Sequence, residues 1–298
     1  MTFKPKGIIA AMVTPFNERE EFNEDAVREI IRHLLKGGVH GIFVSGSQGE
    51  FWALEEAEKK KLFEISVDEV DGKAAVYAGT GAESTREALR LTRIAKDAGV
   101  DAASIITPYY IKPNDKELIS HYSTIAGKVD LPILVYNNPD RTSGVCIDPE
   151  VLLKLAAEHS NIVGIKDSGG DLTLTSEYIR KCGSKISVLA GRDTLICATL
   201  SYGGQGSIAA TANVVPALVV EIYESFIEGD YEKAMEAQYR LAPLRIAFEL
   251  GSFPVVIKEA LNMIGVRAGP CRKPVLPMDA ESRERLRRIL LDLQLKLN

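Results

Sequence analysis

A (β/α)8 TIM barrel with a C-terminal helical extension is the fold class the sequence predicts, and three observations predict it. Eight short apolar runs recur along the chain: Gly7 to Val13, Gly41 to Ser45, Ala74 to Gly79, Ala102 to Thr107, Pro132 to Tyr136, Ile162 to Lys166, Ile186 to Ala190 and Gly206 to Ala209. They are continuously apolar rather than alternating, as expected of parallel strands covered on both faces. The segments between them have helical periodicity, and after about residue 212 the strands stop while helical patterns continue. Strand then helix, eight times over, admits a closed barrel or an open doubly wound sheet. The open sheet normally carries a nucleotide fingerprint, and the nearest candidate, Gly79-Thr80-Gly81, has Ser84 where the third glycine is needed. A chain of 298 residues accommodates a barrel of about 250 residues and a small accessory unit. The expected division is a catalytic barrel over 1–228 and a helical extension over 229–298.

The elements follow in order. The first apolar run is too short for a signal segment and leads into Thr14-Pro15-Phe16-Asn17 without a small-residue cleavage site, so it is read as a strand. Val27, Ile30, Ile31, Leu34 and Leu35 form the stripe of a first helix, closed by Gly37-Gly38. Phe63, Ser66, Val67 and Val70 mark a second helix; Lys59-Lys60-Lys61, following Glu55, Glu56 and Glu58, reads as its solvated face with i,i+4 pairing. Ala88, Leu91, Ala95 and Ala98 mark a third, opened by the Ser84–Glu87 spacing of a capping box and stopped at Gly99; Asn114 and Glu117 repeat the box, and Gly203-Gly204 is a further stop. Val214 to Glu228 closes the barrel, and Tyr231 to Phe248, Pro254 to Ile264 and Ala280 to Leu297 form the extension.

A net charge of −5 and a pI near 5.6 provide no basic field for phosphate backbones, which argues against a nucleic-acid partner. No run approaches the roughly 18 apolar residues of a membrane span, and the expected location is the cytoplasm. Cys146, Cys182, Cys197 and Cys271 lack C-x-x-C spacing and read as core filler in a reducing compartment. No metal is expected: His33, His121 and His159 fall in helical segments and His40 precedes its strand, so none converges from a strand end.

In such barrels reactive residues project from strand C-termini and the following loops. The polar residues there are Thr14, Ser45 to Glu50, Thr80, Tyr109-Tyr110, Tyr136-Asn137-Asn138, Lys166-Asp167 and Gly191-Arg192-Asp193. Lys166 is the strongest, carried out of an apolar strand into the mouth of the barrel. Partial desolvation there favours the uncharged amine, the form that attacks a carbonyl. The competing reading is a lysine paired with Asp167 and facing water. Tyr136 ends the adjacent strand, within reach for proton transfer or else as a core tyrosine. Gly46-Ser47-Gln48-Gly49-Glu50 offers backbone N–H groups to a carboxylate, or is simply a tight turn. Arg141 can clamp a second carboxylate with two donors, or is an exposed loop arginine.

Five ordered segments resemble the motifs of the dihydrodipicolinate synthase / N-acetylneuraminate lyase family: Gly46-Ser47-Gln48-Gly49-Glu50, Gly79-Thr80-Gly81, Thr107-Pro108-Tyr109-Tyr110, Tyr136-Asn137-Asn138-Pro139 and Gly164-Ile165-Lys166-Asp167. The resemblance covers essentially the whole chain. It implies a lyase in which Lys166 forms a Schiff base with pyruvate, without metal or other cofactor. Tyr136 is implied to shuttle protons, with Ser47 relaying to Tyr110 of a neighbouring subunit in a homotetramer, a dimer of dimers. Gly46, Ser47 and Gln48 would hold the pyruvate carboxylate, with the Ile208 carbonyl and Thr14 as further binding positions. Arg141 matches the arginine that holds the carboxylate of aspartate semialdehyde in the synthases of the family. Gln48 stands where those synthases have a second threonine, Thr142-Ser143-Gly144 is one residue longer than their R-T-G, and Gly251-Ser252-Phe253-Pro254 replaces their N-P-x-P. Another aldehyde therefore stays open, as in an N-acetylneuraminate lyase-like or 2-keto-3-deoxy sugar acid aldolase or dehydratase, and so does a silent ligand-binding barrel. Phe51, Trp52, Glu56 and Glu83 at the family's allosteric positions lack the usual small or amide side chains, which speaks against lysine feedback.

Overall fold

The computed structural model describes residues 3–298. Strands β1 (Gly7–Ala11), β2 (Gly41–Val44), β3 (Ala75–Gly79), β4 (Ala102–Ile106), β5 (Ile133–Asn137), β6 (Ile162–Asp167), β7 (Ser187–Ala190) and β8 (Gly206–Ala209) form a closed parallel barrel in sequence order. β8 returns to β1 through Gly7↔Gly206 and Ile9↔Ile208. Helices α1 (Glu24–Lys36), α2 (Glu56–Val70), α3 (Thr85–Asp97), α4 (Asp115–Ala126), α5 (Pro149–Glu158), α6 (Leu172–Cys182), α7 (Ile196–Ser201) and α8 (Pro216–Glu228) surround it. All eight expected strands are present.

Two apolar layers hold this arrangement. Inside the barrel Ile9, Ala11, Phe43, Tyr77, Ala102, Leu134, Val163, Leu189 and Ile208, drawn from every strand, fill the lumen, so the barrel is a packed core and not a pore. Between strands and helices lies a larger layer that includes Val27, Ile30, Ile31 and Leu34 of α1. Each such side chain contributes about 1.5–3 kcal/mol by leaving water. The extension, α9 (Tyr231–Ile246), α10 (Val255–Met263) and α11 (Ala280–Asp292), adds Leu241, Leu244, Val256, Leu261, Leu286 and Leu290 to the same layer.

Helix ends follow the expected chemistry with some differences. Asn114 and Glu117 make both arms of a capping box. Ser84 accepts from the Glu87 amide, but the Glu87 carboxylate is drawn off by Arg90 at 2.9 and 3.0 Å. The expected helix over Tyr231 to Phe248 gives way at Ala247 to a single 3-10 turn, Ala247–Leu250. The last helix stops at Asp292 rather than Leu297. Gln294 adopts φ 59°, and the amides of Gln294 and Leu295 bond back to Leu291 and Leu290 at 2.8 and 3.1 Å, the double bond of a Schellman stop. Leu295 and Leu297 continued the apolar pattern because they fold back onto the core.

Lys60 and Lys61 lie on the outer face of α2 and pair with Glu64 and Glu24. Cys182, Cys197 and Cys271 are buried, but Cys146 is exposed: in the irregular segment before α5, Val145 and Ile147 take the inward positions. Among the described residues no helix is long and apolar enough to cross a membrane.

His121, buried in α4 with Nδ1 bonded to Thr85, has its pKa pushed down from 6.5 to about 4 by burial. A folded value below the unfolded one favours the native state above pH 6.5, and the gain disappears as pH falls through 4. Lowering the pH from 7.5 to 4 should cost on the order of 3 kcal/mol from this group. Urea unfolding of the wild type and His121→Gln at both pH values measures it; equal losses in the two proteins would refute it.

Candidate active site

A cavity of about 460 Å³ opens at the C-terminal ends of the strands, and Ser47, Gln48, Tyr136, Arg141, Lys166 and Ile208 all line it. The β5–β6 register sets Tyr136 against Lys166 and Asn137 against Asp167. The Lys166 ammonium nitrogen stands 4.2 Å from the centre of the Tyr136 ring and 5.0 Å from that of Phe43, on the apolar floor of the lumen. Lys166 is 5% exposed, and among the described residues no carboxylate lies within ion-pair distance of it. Asp167 is occupied elsewhere: it accepts from Asn137 Nδ2 at 2.9 Å, Thr175 Oγ1 at 2.7 Å and the Gly169 amide at 3.0 Å. The sequence left open a Lys166–Asp167 pair facing water; geometry rules it out.

Alternation along a strand sends every second side chain the same way. Tyr136 and Asn138 both reach the cavity, as do Lys166 and Ser168. Asn138 Nδ2 donates to the Tyr136 oxygen at 2.9 Å. Burial alone raises the pKa of this phenol, but the neighbouring Lys166 charge and the side chains of Ser168, Ser47 and Asn138 hold it below the ordinary tyrosine value. These groups stabilise a phenolate, which allows the phenol to exchange protons with a group placed beside it.

The Gly46–Glu50 loop is folded tightly after β2. Ser45 and Glu50 both adopt φ 54°, and the amides of Gly49 and Phe51 bond to the Gly46 carbonyl. A Cβ on Gly46 would meet the Phe43 ring at 2.5 Å, so glycine lets the loop rest on the lumen floor. Gln48 is 3% exposed, and among the described residues neither amide atom has a partner. Ile208 lies across the cavity on β8. The Arg141 guanidinium stacks 4.4 Å above the Phe253 ring, which is what Phe253 does in the departing Gly251–Pro254 segment.

Three expected positions do not line the cavity, and Gly46, which borders a smaller recess with Phe43 and Tyr136, is one of them. Thr14 is fully buried and gives its hydroxyl to the Gly49 carbonyl at 2.7 Å, so it braces the loop rather than facing a ligand. Tyr110 is 90% exposed at φ 73° and does not line its own chain's cavity. Conversely, Ser168, Arg245 and Glu249 line the cavity without having been anticipated. Ser168 was legible as the second residue beyond Lys166; Arg245 in the last turn of α9 and Glu249 in the 3-10 turn after it depend on how the extension packs. Arg192 is tied down by Asp140 at 2.6 Å and the Ser168 carbonyl at 3.1 Å. Among the described residues no group of three His, Cys, Asp or Glu side chains could hold a metal ion.

The profile of the Dihydrodipicolinate synthetase family matches residues 4–293. A 4-hydroxy-tetrahydrodipicolinate synthase of Methanopyrus kandleri is 42% identical over 296 residues, covering 99% of this chain and 98% of that protein. The crystal structure of dihydrodipicolinate synthase from Aquifex aeolicus superposes with a TM-score of 0.95 at 36% identity, covering 99% of this chain and all of that one. An E. coli K12 prophage protein of the dihydrodipicolinic acid synthase family, solved in complex with pyruvate, superposes with a TM-score of 0.94 at 32% identity, covering 98% and 99% of the two chains.

Proposed function

Because the chain belongs to the dihydrodipicolinate synthetase family, we propose that it is a 4-hydroxy-tetrahydrodipicolinate synthase condensing pyruvate with aspartate semialdehyde through a Schiff base on Lys166. The observation that carries this reading is the Lys166 amine itself, buried on an apolar floor, free of a carboxylate and beneath the Tyr136 phenol. Lys166 attacks C2 of pyruvate and water leaves as the imine forms; Tyr136 then takes a C3 proton, and the resulting enamine attacks the aldehyde. Gly46, Ser47 and Gln48 hold the pyruvate carboxylate through the loop backbone, and Arg141 at the mouth receives the carboxylate of the semialdehyde. The chemistry needs no metal and no cofactor beyond the lysine. Four unpaired cysteines suit the cytoplasm.

Ser47 beside Tyr136 supports the relay, and the exposed pair Tyr110 and Ile111 supports a partner subunit covering that edge and delivering Tyr110 to it. A second exposed stripe, Tyr231, Met235, Tyr239 and Ile246 on α9, supports a further contact and hence a dimer of dimers. Steady-state kinetics with pyruvate and aspartate semialdehyde, set against cleavage of N-acetylneuraminate and 2-keto-3-deoxy sugar acids, tests the substrate; no turnover of the semialdehyde would remove the leading reading. The unpaired Gln48 amide favours a sugar-acid aldolase as the second reading, since an amide matches hydroxyl groups in both donor and acceptor roles.

Gln48→Leu should raise the KM of the aldehyde about tenfold, the cost of one hydrogen bond of about 1.4 kcal/mol, and leave that of pyruvate within about twofold. A rise confined to pyruvate would assign the amide to the first substrate instead.

A further inference from the structure

The carboxylate of Glu50 is 0% exposed and closes the substrate loop, yet its partners all come from the other end of the chain. Its Oε1 lies 2.5 Å from the ammonium of Lys258 on α10, which is 1% exposed. Its Oε2 accepts the backbone amide of Arg272 at 2.9 Å. Lys258 also donates to the Pro270 carbonyl at 2.7 Å. The Arg272 side chain bonds to the Ala53 carbonyl at 2.6 Å, the Glu20 carbonyl at 2.9 Å and the carboxylate of Glu58. Both cations sit 4.3 Å from the Phe16 ring. The segment is driven close enough that a Cβ on Gly269 would lie 1.8 Å from the Phe16 carbonyl oxygen, and Gly269 has φ 65°.

The charges balance, two cations against Glu50 and Glu58, with Glu50 Oε1 held by the Lys258 charge and not by a hydrogen bond, so the group is left with an unpaired charge if any member is lost. Its contacts bracket the loop: Glu50 ends Gly46–Glu50, Ala53 ends the turn after it, and Glu58 caps the start of α2 through the Glu55 amide at 2.9 Å. At the same place the backbone holds two non-glycine residues, Ser45 and Glu50, in the left-handed region, a conformation that persists only where the surroundings over-determine it.

We propose that Glu50, Lys258 and Arg272 form a clamp through which the C-terminal extension fixes the conformation of the Gly46–Glu50 loop, making them positioning residues for the binding of the 2-oxo acid carboxylate. They touch no substrate; they act through the orientation of the Ser47 and Gln48 amides. The clamp makes the extension part of the active site and not an appendage. This rests on the reading of that loop as the carboxylate site.

A merely structural ion pair and a positioning clamp differ in the double variant Glu50→Gln/Lys258→Met, in which no buried charge is left unpaired and stability returns toward the wild type. The clamp predicts that this folded double variant keeps a pyruvate KM raised about tenfold. Borohydride trapping on Lys166 should be weak at low pyruvate and recover at saturation. A folded double variant with a pyruvate KM within about twofold of the wild type overturns the proposal. Arg272→Met, which keeps the Glu50–Lys258 pair, gives a second test should the double variant not fold: amide exchange over residues 45–53 should accelerate, and unchanged exchange there overturns the proposal equally. Failure of the wild type itself to form the adduct would count against the carboxylate-site reading and leave the exchange result to judge the clamp.

Discussion

Lys166→Ala should lower kcat/KM for the condensation by about 10⁴-fold or more, because loss of a covalent nucleophile removes the step on which every later one depends. Lys166→Arg should be as inactive, since the guanidinium stays charged and cannot attack a carbonyl. Neither loss should come from unfolding. The amine is buried without a carboxylate partner, so its removal leaves no opposite charge stranded, and Lys166→Met should melt at or above the wild-type temperature. Parallel assays and thermal melts separate the two effects. Turnover retained in Lys166→Arg would contradict the assignment, and a large fall in melting temperature for Lys166→Met would show that the amine is structural.

Tyr136→Phe should slow the chemistry by about 10²–10⁴-fold, the usual worth of a positioned acid–base group, while leaving imine formation with pyruvate in place. The informative assay is exchange of the pyruvate methyl protons with D2O in the absence of aldehyde, followed by NMR. In the free enzyme the Lys166 charge and the hydroxyl and amide neighbours hold the phenol below the ordinary tyrosine value, and a protonated imine at the same nitrogen keeps that positive charge in the adduct, so the phenolate becomes populated at lower pH than in a free tyrosine. The wild-type exchange rate should therefore climb with pH ahead of pH 10, and the climb should be missing in the variant. Equal exchange in the two proteins would remove Tyr136 from the proton path. Asn138 gives a graded version, since Asn138→Ala withdraws one of the groups that stabilise the phenolate and should shift the climb to higher pH.

The parts of the molecule legible in sequence are those governed by short-range rules. Continuous apolar runs marked the strands because both faces of a barrel strand are covered, and a polar side chain breaking such a run marked Lys166 and Tyr136. The same rule, extended by two residues, leads to Ser168. Thr14 obeyed the rule and still turned inward, because the Gly49 carbonyl needed a donor; a strand end identifies a position, not its bonding partner. Arg245, Phe253, Lys258 and Arg272 could not be located from sequence, for they reach the site through packing of the C-terminal extension, about two hundred residues along the chain from the Gly46–Glu50 loop. Cys146 and the early stop of α11 were misread for a related reason: a local apolar pattern does not say whether the backbone continues or folds back. The roles given to Tyr110 and Ser47 came from family resemblance, since a single chain does not contain the neighbouring subunit.

Reduction with borohydride in the presence of pyruvate, followed by peptide mass mapping, tests the central claim most directly. A single N-(1-carboxyethyl) adduct on the peptide carrying Lys166, absent from Lys166→Ala, is the predicted result. No adduct, or one on another lysine with Lys166 unmodified, would contradict it.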